Sequence, residues 1–334
     1  FKDRPILEKN PHLLIEGMVI SGYAIGAQYG YIYLRGEYPG AYHILNKAIA
    51  QAYENNLLGD DISGKGIKFH LAVHRGAGAY ICGEETALIE SLEGDKGQPR
   101  IKPPFPVNVG VFAKPTVVNN VETLSNIPLI IEIGGEEYSK IGSSDCPGPK
   151  LYCVSGHVEK PGVYELPMGT ILRDIIYKHC GGIKGGKNLK AVIPGGITTP
   201  VLPADKIDCP MDFVNMPKHG SMLGSGAVIV MDETVCLVKV CHRALKFLEH
   251  ESCGKCTPCR EGTGWLRSIL ERIENGAGME GDIELLLSVS GNMLGKTFCP
   301  LGDGAASVVQ NYIKHFRNEF EEHIKRAKCV MREA

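Results

Sequence analysis

The sequence predicts a multidomain protein of mixed class, in which an α/β domain precedes a small α+β module and a helical bundle. Helix-like and strand-like segments alternate over residues 1–150, and a hairpin with one crossing helix follows over residues 151–235. Over residues 236–334 the pattern is helical throughout. At 334 residues the chain also exceeds the length that one hydrophobic core usually supports. We therefore expect domain boundaries near residues 150 and 235.

The α/β prediction starts from four segments in the first 75 residues. Helical apolar spacing over residues 12–27 is followed by a strand-like aromatic and β-branched segment at 31–36. A second amphipathic helix is predicted over 41–58, and residues 67–73 alternate as a strand that leads into a glycine-rich loop. Proline and glycine punctuate residues 102–115, which predicts an irregular segment that covers a site.

The α+β module is predicted from two short strands around the turn Lys160-Pro161-Gly162. A helix over residues 170–180 is then stopped by two glycines, Gly181 and Gly182, before another strand at 190–196. Polar side chains do not converge on one spot in this module, so we interpret it as a scaffold.

The helical bundle is predicted from amphipathic segments at residues 236–250, 264–276, 282–293 and 305–327. In the last segment, apolar side chains recur at helical intervals and form one stripe that neighbouring helices can bury. The stripe consists of Val309, Ile313, Phe316, Phe320 and Ile324.

Composition excludes several classes of protein. Hydrophobic residues make up 43% and charged residues 22%, as in ordinary globular proteins. The 36 basic and 38 acidic residues nearly cancel, so we expect no attraction to nucleic acid. The longest apolar stretch, residues 13–27, contains Glu16 and is too short to insert in a bilayer.

The cysteine content points to a reducing compartment. No secretory signal precedes the twelve cysteines, which we therefore expect to be reduced thiols or metal ligands. Because the chain begins at Phe1 within a charged segment, we also expect that its natural N-terminus is missing.

The strongest metal motif is SCGKCTPCR, in which Cys253, Cys256 and Cys259 follow one another at three-residue steps. A fourth ligand is available in Cys299, which precedes a proline, as the fourth cysteine of cubane iron–sulfur motifs often does. Structural zinc more often uses paired C-x2-C knuckles, so the spacing favours a [4Fe–4S] cluster over zinc. The other cysteines, such as Cys236 and Cys241, are expected to be buried small hydrophobic residues.

The loop HRGAGAYICGEETAL combines a strand end, glycines and a helix start, an arrangement that favours anions. Its glycines do not match G-x-G-x-x-G. Glu84 and Glu85 would repel a phosphate, so with a bound nucleotide they should face hydroxyls, an amide or ring nitrogens. The ordinary alternative is that both carboxylates complement the helix N-terminus.

Two further groups are candidates for binding a planar cofactor. Lys102 and Phe105 place a cation and a ring on a proline-stiffened segment, where a planar group could stack. Asn119 and Asn120 precede a short predicted helix and could bond a nucleotide, although capping is the ordinary role of such asparagines.

Four motifs, in order, closely resemble the NADH-binding flavoprotein subunit (the F subunit) of respiratory complex I. They are GAGAYICGEETALIESLEG, KPPFPVNVGVFAKPTVVNNVETL, ESCGKCTPCREGTGW and TFCPLGDGAA. The resemblance runs from Phe1 to the C-terminus. It implies a Rossmann-like flavin and NADH domain, a β-grasp domain of the soluble-ligand-binding type, and a helical bundle that carries a [4Fe–4S] cluster.

The resemblance also implies site residues. Those that line FMN would be Tyr80, Gly83, Glu84, Val118, Asn119, Asn120 and Thr123. Those that meet NADH would be Glu85, Lys102 and Phe105, with Phe105 stacked on a base and Glu85 near the nicotinamide. Glu84 and Glu85 are the candidate catalytic residues, and the cluster ligands would be Cys253, Cys256, Cys259 and Cys299. The family's first glycine-rich loop and the acidic stretch ahead of FKDRP are absent, which puts flavin binding by this chain in question.

The implied function is NADH oxidation by hydride transfer to FMN, with single electrons passed to the cluster of an NADH-quinone oxidoreductase. Implied partners are a thioredoxin-like [2Fe–2S] subunit and the large iron–sulfur subunit, in a cytoplasmic peripheral arm at the inner membrane. One alternative is the diaphorase subunit of an NAD-linked hydrogenase or formate dehydrogenase, and another is a zinc-stabilised interaction module. Many such diaphorase subunits continue into further ferredoxin-like cysteines, whereas this chain ends soon after Cys329, which favours the respiratory complex.

Overall fold

The computed structural model describes residues 1–329 and residue 331, and it divides into two compact units, 1–140 and 141–334. The first unit ends before the boundary predicted near residue 150. The boundary predicted near residue 235 lies within the second unit and stays a prediction.

The first unit contains a three-stranded sheet with helices packed around it. Its elements are α1 (Asp3–Lys9), α2 (Pro11–Ile25), β1 (Tyr29–Leu34), α3 (Pro39–Glu54), β2 (Gly59–Ile62), β3 (Ile67–Arg75), α4 (Glu85–Glu93), α5 (Val121–Ser125), α6 (Ile127–Ile133) and α7 (Gly135–Ser139). The central strand, β3, runs parallel to β1 and antiparallel to β2. The connection from β1 through α3 to β3 is the βαβ element of a Rossmann-like fold.

Apolar periodicity explains why these segments fold as they do. In α3, Leu45, Ala48 and Ala52 recur on one face and are at most 2% exposed. In β3, Phe69 and Leu71 alternate with half-buried or exposed neighbours, so one face of the strand is in the core. The predicted helices and strands of this segment are therefore confirmed.

The second unit begins with a small two-stranded ribbon and a five-stranded sheet. The elements are β4 (Gly142–Ser143), β5 (Cys146–Pro147), β6 (Pro149–Gly156), β7 (Gly162–Pro167), α8 (Leu172–Asp174), β8 (Leu189–Ile193), β9 (Leu202–Pro203), α9 (Asn215–Lys218) and β10 (Ala227–Asp232). The strand order is β7-β6-β10-β8-β9, with β10 parallel to β6 and antiparallel to β8.

The predicted hairpin of β6 and β7 and the predicted crossing helix are both present. Residues 175–179 continue α8 as a π-helix. Gly181 and Gly182 then end it with φ values of 78° and 88°, which side chains with a Cβ rarely adopt. Within this core Tyr152 is fully buried, and its hydroxyl donates to the Met211 carbonyl oxygen at 2.9 Å.

The remainder of the second unit is the predicted helical bundle. Its helices are α10 (Leu237–His250), α11 (Thr257–Glu274), α12 (Asp282–Met293) and α13 (Pro300–Arg326). The apolar stripe predicted on α13 is at least half-buried, and the helix is kinked at Phe316, where φ is −134°. Among the described residues, no helix combines the length and apolar character that crossing a membrane requires.

A buried ion pair joins α11 to the start of α12. Arg272 Nε donates to Asp282 Oδ2 at 2.9 Å, and the Asp282 side chain is only 3% exposed. We expect Arg272→Met to lower the free energy of unfolding by about 3 kcal/mol, because it leaves a buried carboxylate without its cation. Urea unfolding measures this free energy. The control is Arg260→Met, which removes an exposed ion pair with Glu261 and should change the free energy of unfolding by less than about 0.5 kcal/mol.

The same pair predicts a pH dependence. Burial opposes ionisation of Asp282, but hydrogen bonds from Arg272 and the Met279 N–H outweigh it and lower the pKa below its ordinary 3.8. A depressed pKa in the folded state contributes stability above the ordinary pKa, which is lost as the pH falls through the folded value. The difference in unfolding free energy between wild type and Arg272→Met should therefore be full at pH 7 and shrink below about pH 4. If the difference in unfolding free energy instead grew on acidification, the lowered pKa of Asp282 in the folded state would be contradicted.

Candidate functional site

The glycine-rich loop, residues 76–84, connects the carboxyl end of β3 to α4. A Cβ on Gly76 would lie 2.5 Å from Tyr33 Oη, so a side chain there would displace the Tyr33 ring. Gly78 has φ +95°, and a Cβ on it would lie 3.3 Å from the Glu37 carboxylate. The loop thus presents bare backbone at the carboxyl edge of the parallel strands β1 and β3, where Rossmann-like folds bind nucleotides.

Glu84 caps α4. One oxygen of its carboxylate accepts the backbone N–H groups of Thr86 and Ala87, each at 3.0 Å, and the Thr86 hydroxyl at 2.5 Å. Burial opposes ionisation of Glu84, but the hydrogen bonds from Thr86 and Lys102 outweigh it, so its pKa is lowered. The capping role, which the sequence left open, is therefore observed for Glu84.

Lys102 links the two acidic residues. Its Nζ lies 3.0 Å from Glu84 Oε1 and 2.5 Å from Glu85 Oε1. Burial lowers the pKa of Lys102, but the hydrogen bonds to Glu85 and Glu84 outweigh it and raise the pKa. Three residues predicted for the nucleotide site thus form one charged group, with one positive and two negative charges. We call it the Glu84–Glu85–Lys102 group.

Two aromatic side chains close in sequence to this group are accessible. Phe105 is 50% exposed and Tyr80 is 47% exposed. The carbonyl oxygen of Phe105 accepts the N–H groups of Asn108 and Val109 at 2.9 and 3.0 Å, which fixes its backbone in a turn. The backbone that carries the Phe105 ring is therefore held in place, and the ring itself is half exposed, as stacking on a planar group requires.

The asparagine loop has a different set of partners. Asn120 is the N-cap of α5, and its Oδ1 accepts the N–H of Glu122 at 3.0 Å and Lys2 Nζ at 2.7 Å. Its Nδ2 donates to Asp3 Oδ2 at 3.1 Å. The structure thus ties the Asn120 side chain to the first residues of the chain. The other residues predicted to line FMN are exposed or half-buried: Gly83, Val118, Asn119 and Thr123.

The four predicted cluster cysteines lie at the starts of two bundle helices. Cys256 is the N-cap residue of α11, Cys259 is in its first turn, and Cys299 is the N-cap residue of α13. Proline is the second residue of α11 and the first residue of α13, as suits a helix start. Helix N-termini stabilise negative charge, so both helix ends favour thiolates and an anionic cluster.

Contacts between the two loops bring these cysteines together. The Phe298 N–H lies 3.5 Å from Cys256 Sγ, and a Cβ on Gly302 would lie 3.0 Å from Cys259 Cβ. Burial raises the pKa of Cys259 to about 11, and its hydrogen bond with Ser252 opposes this increase. The charges of the other three cysteines raise the pKa further because they lie close to the Cys259 thiol: Cys256, Cys299 and Cys253. The structure therefore places the four cysteines of the two loops close to one another, and their role as ligands of one cluster stays a prediction.

Several contacts around the cysteines were not predicted. The Lys255 ammonium lies 4.5 Å from the centre of the Phe298 ring, and Thr297 Oγ1 donates to the Cys299 carbonyl oxygen at 2.9 Å. The first of these contacts connects the two cysteine loops, which are far apart in the sequence, and no local pattern indicates such a pairing. The prediction for Cys241 as a buried hydrophobic residue is confirmed, whereas Cys236 lies in a polar group described below.

Three family models match successive parts of the chain. The Nuo51 FMN-binding domain matches residues 1–129, and the SLBB domain matches residues 150–230. The NADH-ubiquinone oxidoreductase-F iron-sulfur binding region matches residues 239–323, and thus includes all four predicted cluster cysteines.

Similar proteins cover nearly the whole chain. The NADH-quinone oxidoreductase F subunit, form 2, of Rhizobium meliloti (strain 1021) is 53% identical over 98% of this chain and 78% of its own length. The NADH-quinone oxidoreductase F subunit of Mycobacterium tuberculosis (strain ATCC 25618 / H37Rv) is 49% identical over 98% of this chain and 74% of its own length. An NAD+-reducing [NiFe]-hydrogenase in the H2-reduced state has a similar structure, with a TM-score of 0.88 and 37% identity over 97% of this chain. The chain spans 54% of that hydrogenase chain.

Proposed function

The chain belongs to the family of NADH-quinone oxidoreductase F subunits, and on that premise we propose that it is the electron-entry subunit of such an enzyme. It oxidises NADH at a flavin site in residues 1–140 and passes the electrons to a [4Fe–4S] cluster in the bundle. The convergence of Cys253, Cys256, Cys259 and Cys299 at two helix N-termini is the observation that carries this proposal.

The residues present fit both cofactors. At Gly76 and Gly78 the loop backbone packs closely against Tyr33 and Glu37, and the space beside Gly83 is open, so a flavin nucleotide can approach the backbone there. Four thiols from two loops are the donor set of a cubane cluster. When bound, FMN would supply the acceptor for the hydride of NADH, and the cluster would supply a one-electron carrier.

The chain positions the substrate. We assign Phe105 to stacking on a base of NADH, since its ring is half exposed on a fixed turn. Glu85 faces the nicotinamide end, where a carboxylate can accept a hydrogen bond from the carboxamide. Lys102 holds Glu85 and Glu84 in place and offsets part of their negative charge. The flavin-lining set in this proposal is Tyr80, Gly83, Glu84, Val118, Asn119, Asn120 and Thr123.

Removing the Phe105 ring should weaken NADH binding. Because stacking of a base on an aromatic ring contributes about 1–3 kcal/mol, Phe105→Ala should raise KM for NADH about 10-fold or more. Steady-state kinetics with a small soluble oxidant measures it, and Phe105→Tyr should keep KM near the wild-type value. Phe112→Ala is the matched control, because Phe112 is also an exposed phenylalanine, 59% exposed, of the same proline-rich segment. An equal rise in KM for the Phe112 variant would refute the stacking role.

We place the chain in the cytoplasmic peripheral arm of a complex at the inner membrane, with a thioredoxin-like [2Fe–2S] subunit and the large iron–sulfur subunit. The 53% identity to an NADH-quinone oxidoreductase F subunit over most of that relative's length supports this placement. The alternative, a diaphorase subunit of an NAD-linked hydrogenase, is favoured by the structural similarity at 37% identity. Affinity purification from the native cell decides between them, since copurified hydrogenase subunits would overturn the respiratory assignment.

A further inference from the structure

A second group of metal-ligating side chains lies in the bundle, apart from the cluster cysteines. It consists of Cys236, Glu274, His323 and Cys329, and one ligand atom from each lies within 4.8 Å of all the others. The four residues are between 0% and 7% exposed. Among the described residues, this is the one group of three or more His, Cys, Asp or Glu side chains that is so compact.

The distances within this group match the edges of a coordination tetrahedron. Cys236 Sγ lies 3.3 Å from His323 Nε2 and 3.6 Å from Glu274 Oε2. His323 Nε2 lies 3.7 Å from the same carboxylate oxygen. Zinc bonds of about 2.3 Å to sulfur and about 2.0–2.2 Å to nitrogen or oxygen give tetrahedral edges of about 3.3–3.8 Å. Three of the four ligand atoms are therefore already placed at separations that one zinc ion requires, and Cys329 Sγ lies within 4.8 Å of each of them.

Two of the ligands are oriented by the surrounding backbone. His323 Nδ1 lies 2.6 Å from the Glu319 carbonyl oxygen, which fixes the proton on Nδ1 and leaves the lone pair of Nε2 facing the group. Cys236 is the N-cap residue of α10, and its Sγ accepts the Lys239 N–H at 3.3 Å. A backbone donor at a helix N-terminus stabilises the thiolate, which is the form that binds metal.

Simpler interpretations account for only part of the group. A pairing of Glu274 with protonated His323 explains two of the four side chains, and a disulfide between Cys236 and Cys329 explains the other two. Neither interpretation explains why all four ligand atoms are buried and lie within 4.8 Å of one another. Thiolate, imidazole and carboxylate are all ligands that zinc binds, and four of them around one buried point leave no open coordination position, as in a structural zinc site.

We propose that Cys236, Glu274, His323 and Cys329 bind one structural zinc ion. Glu274 is the last residue of α11, whereas Cys259 is in the first turn of the same 18-residue helix. The 15 residues from Cys259 to Glu274 rise about 22 Å along the helix, so the proposed zinc and the iron–sulfur cluster lie toward opposite ends of α11. At that separation the zinc, which has no redox chemistry, ties α10, α11 and the segment after α13 together without taking part in electron transfer.

Elemental analysis of the purified full chain tests the proposal. We expect about one zinc per chain in addition to iron, and His323→Gln should lose the zinc but keep the iron. His315→Gln, a histidine variant on the same helix and outside the group, should keep both. Zinc that persists in His323→Gln, or wild-type protein without zinc after growth with added zinc, would overturn the site.

A second measurement uses the wild-type protein alone and covers the case in which the variant does not fold. Zinc X-ray absorption should show two sulfur ligands at about 2.3 Å and two nitrogen or oxygen ligands at about 2.0–2.2 Å. Four sulfur ligands would instead place zinc at the four cluster cysteines. That result would overturn this proposal and the iron–sulfur assignment together, whereas absence of zinc from a chain that contains iron and sulfide would overturn this proposal alone.

Discussion

Replacing Cys299 by alanine is expected to lower electron transfer from NADH to quinone by two orders of magnitude or more, about 3 kcal/mol or more in activation free energy. The residue is the N-cap of α13 and the single cluster ligand that we assign to that helix, so its loss would leave three thiols on the other loop. NADH oxidation by a small soluble oxidant that reaches the flavin directly should fall far less. Both rates are measured on the intact complex. The rate with quinone divided by the rate with the soluble oxidant should be much lower in Cys299→Ala than in the wild type.

Cys146→Ala is the matched control for this prediction. Cys146 is half-buried in the same compact unit but outside the cluster loops, so both rates should stay near the wild-type values. Circular dichroism and thermal melting show whether the Cys299 variant remains folded. Equal loss of both rates in a folded variant would contradict a role for Cys299 downstream of the flavin.

Lys102→Met is expected to lower kcat/KM for NADH by about 100-fold. Lys102 Nζ lies within hydrogen-bond distance of both Glu84 and Glu85, so its removal leaves two adjacent carboxylates beside a substrate that carries phosphates. Loss of a charge-assisted hydrogen bond at a partly buried site contributes about 1.5–3 kcal/mol, which corresponds to this factor. Lys96→Met, which removes an exposed lysine before the proline-rich segment, is the matched control and should behave as wild type.

The same substitution should shift the pH profile. The hydrogen bond and charge of Lys102 contribute to the lowered pKa of Glu84, so the variant should have a higher Glu84 pKa than the wild type. Activity that requires ionised Glu84 should therefore begin to fall at a higher pH in Lys102→Met as the solution is acidified. Lys102→Arg keeps the positive charge and should leave the acid limb near its wild-type position. An unchanged acid limb in Lys102→Met would exclude Glu84 as the titrating group.

Local periodicity explains which elements were predictable. The helices α10 to α13 and the strands β1 and β3 carry their patterns within a single segment, so sequence alone locates them. The strand β10, the centre of the five-stranded sheet, was missed because Val228, Val230 and Met231 belong to a continuous apolar run rather than an alternating one. A central strand that is covered on both faces has no polar side to reveal its period.

The candidate site was predictable to a similar extent. The four cysteines could be proposed as cluster ligands because three of them share one short motif and the fourth precedes a proline. Lys102 and Glu84 are 18 residues apart in the sequence, and Cys236 and His323 are 87 apart. Contacts between residues so far apart produce no local sequence pattern. The assignment of individual residues to FMN or NADH came from the family resemblance and stays a prediction.

The central claim is that four thiols from two loops hold an iron–sulfur cube. Iron and acid-labile sulfide, assayed together on the anaerobically purified chain, test it most directly. The predicted result is about four irons and about four sulfides per chain, both lost in Cys299→Ala. A folded wild-type chain that contains zinc but no sulfide would contradict the claim.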